Sequence, residues 1–209
     1  GAEGSAMGRL RVIGLEAEGA MLRATGGVNT HRGAIFGLGL LCAAAGMRAT
    51  GRVDPILPLG AIVASHWRPG ILQGPEPLHS HGGMARRRYG SSGARGEAAQ
   101  GFPTVYAVGL PALRLGAALT GDGQAARVQA CFALIAQLED TNLLHRGGLA
   151  GLRFAQAAAG KFLARGGVGQ PDWLGPASAV HRAFVARGLS PGGSADLLAM
   201  SLFVEACDP

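Results

Sequence analysis

Gly33-Ala-Ile-Phe-Gly-Leu-Gly-Leu-Leu-Cys-Ala-Ala-Ala-Gly-Met-Arg48 carries one charge, at its last position, and little that favours a strand. A bilayer span needs about 20 such residues. This shorter run therefore reads as a helix buried in a protein core, apolar on nearly every side and so central. A central helix requires others around it, and the flanking sequence supplies them. Residues 9–25 place Leu10, Ile13, Ala17, Ala20, Met21 and Ala24 at helical spacing, and Gly26-Gly27 stop that helix. Further helices are expected at residues 55–67, at 103–120 with a kink at Pro111, and at 123–138, 148–165, 171–187 and 194–206. Residues 69–83, rich in Pro, Gly and His, read as a loop. Period-two alternation is almost absent, and short connections favour antiparallel neighbours. The expected fold is all-α: a single-domain helical bundle over residues 1–209, with polar, glycine-rich loops at helix ends.

Composition narrows the partners. With 209 residues, 48% hydrophobic and 15% charged, the chain has enough apolar sequence to bury a substantial core. The net charge of +6 is almost wholly arginine, since Lys161 is the single lysine. The longest basic run is Arg86-Arg87-Arg88, which reads as a solvated patch. With two tyrosines and two tryptophans, the chain lacks the stacking surface of a nucleic-acid binder. A small polyanion suits the charge better. Cys42, Cys131 and Cys207 are widely spaced in apolar stretches and have no metal-ligand spacing. They read as buried, reduced thiols of a cytoplasmic protein. No secretory leader opens the chain, and no stretch reads as a membrane span.

Four polar segments interrupt the helices: Thr25-Gly-Gly-Val-Asn-Thr-His-Arg-Gly33, Tyr89-Gly-Ser-Ser-Gly-Ala-Arg-Gly-Glu-Ala98, Asp140-Thr-Asn-Leu-Leu-His-Arg-Gly-Gly148 and Ser190-Pro-Gly-Gly-Ser-Ala-Asp196. Each joins glycine to hydroxyl, amide, basic and carboxylate groups. Glycine lets a backbone approach a ligand, and helix N-termini present N–H groups to phosphate. Arg32, Arg95 and Arg146 offer forked donors to phosphate oxygens, while Glu97, Asp140 and Asp196 offer oxygen ligands to Mg²⁺. Plainer readings stand beside these. Ser194 caps the last helix, Asp140 makes an Asx turn, and His31 is a surface histidine. No P-loop, nucleophile elbow or Ser-His-Asp set occurs. The residues alone lead to a helical protein with several polyanion-facing loops.

Taken in order, the four segments resemble those of the triphosphoribosyl-dephospho-CoA synthases that serve citrate lyase and malonate decarboxylase. The resemblance adds Ala34-Ile-Phe36 to the first segment and Gly101-Phe-Pro103 after the second. It extends the fourth through Leu197-Leu198 and covers the chain from about Gly14 to Phe203. It implies a transferase that joins C1′ of the ATP ribose to the 2′-hydroxyl of 3′-dephospho-CoA and releases adenine. The product would pass to an acyl-carrier-protein prosthetic-group transferase. It further implies Asp140 or Glu97 as the catalytic carboxylate, and Mg²⁺ shared by Asp196, Asp140 and Glu18. The triphosphate would lie on Arg32, Arg95, Arg146 and the Gly192-Gly193-Ser194 backbone. His31, beside Thr30, would donate to phosphate or adenine, with Asn29 and Asn142 on ribose or base. Family members extend further at the N-terminus, so this chain, opening at Gly1-Ala-Glu-Gly without methionine, reads as N-terminally truncated. An ATP-dependent phosphotransferase and a noncatalytic nucleotide- or carrier-binding module are the alternatives. The motifs do not separate the lyase from the decarboxylase pathway.

Overall fold

The computed structural model describes residues 2–75 and 81–208, with backbone alone for residues 2–6, 81, 82 and 86. In order come α1 (Ala2–Ala24), α2 (Arg32–Ala49), α3 (Leu59–Gln73), α4 (His81–Tyr89), α5 (Gly93–Ala99), a π turn (Val105–Gly109) and α6 (Leu110–Thr120). Then follow α7 (Gly123–Gln137), α8 (Thr141–Ala164), a 3₁₀ turn (Gly167–Gly169), α9 (Leu174–Val185) and α10 (Gly192–Cys207). The fold is all-α; no strand occurs among the described residues. No helix there is long and apolar enough to cross a membrane. Contacts gather the chain into two compact units. One holds Gly1–Pro75, Ala94–Pro103 and Leu202–Pro209; the other holds Glu76–Gly93 and Thr104–Ser201.

In the first unit α1, α2 and α3 pack on one another. The decisive helix α2 runs as expected, but only one face of it is buried. Ala34, Gly37, Leu40, Leu41 and Ala44 point inward, while Gly39, Cys42 and Gly46 are exposed. Small side chains on the outer face cost little when left in water, so apolar composition overstated the burial. The α1 stripe is likewise broken: Met7 and Met21 are buried, whereas Ile13 is 59% exposed. Helix α3 runs to Gln73, straight through Pro69, where the sequence suggested a loop. Its end is held by tertiary donors described below. Residues 76–80 of the expected loop lie outside the described residues. At its start, both carboxylate oxygens of Asp208 accept from the Leu59 N–H at 3.1 Å, and Asp208 also pairs with Arg48.

The second unit is built on α7 and α8, with α6 against α7 and both α4 and α9 against α8. Its core includes Phe132, Ile135, Leu143, Leu152, Phe162 and Phe184, with the Phe132 and Phe162 rings 4.1 Å apart. The expected helix over 103–120 is irregular just before Pro111, where a π turn precedes it and the Leu110 N–H donates to Val105 O, five residues back. Proline has no N–H to continue the ladder, and prolines and π turns are both places where helices bend. Helix α6 meets α7 at Gly116, where an added Cβ would lie 2.7 Å from Ala126 Cα and 2.8 Å from Gln129 Cβ. Backbone cannot yield as a side-chain tip can. Gly116→Ala is therefore expected to cost about 1–3 kcal/mol by overpacking, measurable by urea denaturation.

The cysteines depart from expectation. Cys42 and Cys207 are exposed and Cys131 is partly buried. Burial, with the charge of Asp140 adding to it, pushes the Cys131 thiol up to about 11.

Candidate active site

In the second unit, two of the four polar segments turn out to be one structure. Asp140 is the N-cap of α8, and its Oδ1 accepts from the N–H groups of Asn142 at 2.9 Å and Leu143 at 3.3 Å. Its Oδ2 accepts from the Ser194 N–H at 2.8 Å and the Ser194 hydroxyl at 3.0 Å. One carboxylate, 1% exposed, thus closes the starts of both α8 and α10. Ser194 does not cap its own helix; it lies inside α10 and donates to Asp140. The close fit explains the neighbouring glycines. A Cβ on Gly193 would sit 3.1 Å from the Asp140 carboxyl carbon, and one on Gly192 2.7 Å from Asn142 Nδ2. Negative charge at two helix N-termini is favourable, and here the protein supplies it.

The rest of the Asp140–Gly148 segment is helical as far as Gly148, where φ 59 and ψ −162 break α8. A residue with a Cβ resists that conformation. The break explains why periodicity placed the helix start at 148. Arg146 is exposed and donates through Nη1 to Gly188 O at 3.4 Å; Asp196 is half-buried in the first part of α10.

In the first unit, the α1–α2 turn brings Glu18, Asn29, Thr30, His31 and Arg32 together. Asn29 Oδ1 accepts from the N–H of Arg32, the first residue of α2, at 3.1 Å. Thr30 Oγ1 lies 2.6 Å from His31 Nδ1, and the His31 N–H donates to Met21 Sδ at 3.2 Å. Arg32 Nε donates to Glu18 Oε2 at 2.8 Å in a partly exposed ion pair. Asn29, Thr30 and His31 are open to solvent.

Arg95 is engaged differently. Its guanidinium donates to Ile71 O, to Leu72 O at 3.0 Å and to Gly74 O at 2.8 Å, the carbonyls that end α3. It is a positioning residue that ties α5 to α3. Glu97, half-buried, stands on the same short helix. The Gly101-Phe-Pro103 element terminates it: Phe102 N–H donates to Glu97 O and Gly101 N–H to Ala98 O, with Gly101 at φ 81. Loss of the Arg95 donors is expected to destabilise the chain by about 1.5–3 kcal/mol. Lysine should not restore it, because an ammonium lacks the planar fork that reaches several carbonyls. Thermal melts of Arg95→Ala and Arg95→Lys check this.

Of the residues expected to share a site, Arg32, Arg95, Glu18 and Glu97 lie in the first unit, and Asp140, Asn142, Arg146, Ser194 and Asp196 in the second. Order and spacing of the motifs decide the family. The description ATP:dephospho-CoA triphosphoribosyl transferase matches residues 1–209. The chain belongs to this transferase family. Its relatives include a probable 2-(5''-triphosphoribosyl)-3'-dephosphocoenzyme-A synthase of Acinetobacter calcoaceticus, 43% identical over 93% of this chain and 68% of the relative. A Klebsiella pneumoniae protein named 2-(5''-triphosphoribosyl)-3'-dephosphocoenzyme-A synthase is 47% identical over 94% of this chain and 67% of its own length. A probable synthase of Azotobacter vinelandii is 44% identical over 94% and 67%. No solved structure matches the chain.

For a transferase of this family, the metal set inferred from sequence fits poorly. Among the described residues no group of three His, Cys, Asp or Glu side chains could hold an ion. Glu18 is paired with Arg32, and both Asp140 oxygens are taken up by helix N–H and hydroxyl donors. Asp196, the third carboxylate of that set, is half-buried and also engaged. Arg88 and His145 line a cavity beside α4, a helix that Gly82-Gly83 concealed in the sequence, and Arg87 and Arg88 are exposed, in keeping with a solvated patch.

Proposed function

We propose that the chain moves the triphosphoribosyl group of ATP onto the 2′-hydroxyl of 3′-dephospho-CoA. The bond from ribose C1′ to adenine breaks, a bond from the dephospho-CoA 2′-oxygen to C1′ forms, and the hydroxyl proton ends on the departing adenine. The supporting observation is the family match over residues 1–209, joined to the presence of all four polar segments in order.

Such a transfer passes through a state with positive charge at C1′, which a carboxylate stabilises while another group accepts the hydroxyl proton. Glu97 is assigned the proton. Asp140 is assigned a positioning role, since its oxygens already hold α8 and α10. In the first unit Arg32 is assigned to phosphate, with His31 and Thr30 donating beside it and Asn29 assigned to ribose or base. In the second unit Arg146 is assigned to phosphate and Asn142 to ribose or base. Mg²⁺ would arrive on the ATP phosphates, neutralising their charge. The reaction is placed in the cytoplasm, and its product goes to a prosthetic-group transferase acting on an acyl-carrier protein.

The product distinguishes this reaction from phosphotransfer. Mass spectrometry of a reaction with γ-labelled ATP should find the label covalently attached to dephospho-CoA through a ribose. Label recovered as a phosphorylated dephospho-CoA without the added ribose would overturn the reading.

A further inference from the structure

The cavity between α4 and α8 has no role in the assignments above. It has a volume of about 370 Å³. Met84 and the buried Leu144 give it an apolar floor, Tyr89 forms a wall, and Arg87, Arg88 and His145 stand exposed at the rim. The Tyr89 hydroxyl lies near the α8 break, 3.6 Å from where a Cβ on Gly148 would be. Arg88 lies over the Tyr89 ring at 5.3 Å and forms no ion pair among the described residues.

Cations at the mouth and hydrocarbon below suit a ligand with phosphate at one end and an apolar arm at the other. The volume falls at the small end of the range for small-molecule pockets, about 300–1,000 Å³, which suits an arm rather than a whole nucleotide. We infer that this cavity binds the diphosphate and pantetheine arm of dephospho-CoA. Arg87, Arg88 and His145 face the diphosphate, and the dimethyl-bearing arm lies on Met84 and Leu144. ATP fits less well, because nothing apolar extends from its triphosphate to cover that floor. The inference rests on the triphosphoribosyl-transfer reading for the identity of the ligand.

Calorimetric titration of the full chain with 4′-phosphopantetheine, and separately with ATP, tests it. Arg88→Glu should raise the Kd for 4′-phosphopantetheine about 10- to 100-fold, the loss of one charge-assisted contact, and leave that for ATP within about twofold. Arg88→Lys should recover part of the loss, and matched melting curves show that both variants fold. No binding of 4′-phosphopantetheine to the unaltered chain, an unchanged Kd in Arg88→Glu, or equal weakening of both ligands would each overturn the subsite. A chain that releases adenine but fails this titration sinks the subsite alone. One that passes it yet releases no adenine keeps the subsite and loses the reaction.

Discussion

Asp140→Ala is expected to lower the melting temperature by about 10 °C, the largest loss of stability among the substitutions considered. The carboxylate caps α8 and, through Ser194, the start of α10. Removing an N-cap costs about 1 kcal/mol, and leaving the buried Ser194 donors without an acceptor costs about 1–3 kcal/mol more. For a chain of this size each kcal/mol shifts the midpoint by about 2–4 °C. Asparagine should fall between, since its one oxygen can still cap α8 while its amide presents hydrogens to Ser194, which also donates. Scanning calorimetry of the two variants checks the order. Turnover measured well below the midpoint then separates positioning from chemistry. A folded Asp140→Asn that retains turnover supports positioning. Normal melting combined with turnover lost by three orders of magnitude would make Asp140 catalytic.

Glu97→Gln is expected to slow adenine release by about 10²–10⁴-fold, the usual contribution of a general base. Glutamine keeps the shape of glutamate and removes its charge and its capacity to accept the proton. The short helix carrying it would be marginal alone. Arg95 fixes one face of α5 to the end of α3, and the Gly101-Phe102 turn closes its C-terminus. Steady-state kinetics across pH check the assignment. Full turnover in Glu97→Gln would move the base elsewhere.

Much of this architecture was readable in residue order, because helical spacing and end signals are local. Asp122, just before α7, caps it through Gln124 and Ala125 N–H, and Gly26-Gly27 end α1 with positive φ. What escaped depends on contacts between distant residues. Pro69 looked like a stop, but nothing nearby in sequence announces that Arg95 holds the carbonyls beyond it. Gly148 looked like a start, because its break hides the seven helical residues that precede it. The site divides the same way. The motifs identified the family, yet glycine beside carboxylate in two of them records α8 and α10 closing on Asp140. Charge and position could not distinguish an ion ligand from a cap. Burial and hydrogen-bond partners make that distinction.

The most direct test follows purine release when the chain is incubated with ATP, Mg²⁺ and 3′-dephospho-CoA, separated by chromatography. The account predicts free adenine in one-to-one stoichiometry with consumed dephospho-CoA, and none when dephospho-CoA is omitted. ADP in place of adenine would contradict it.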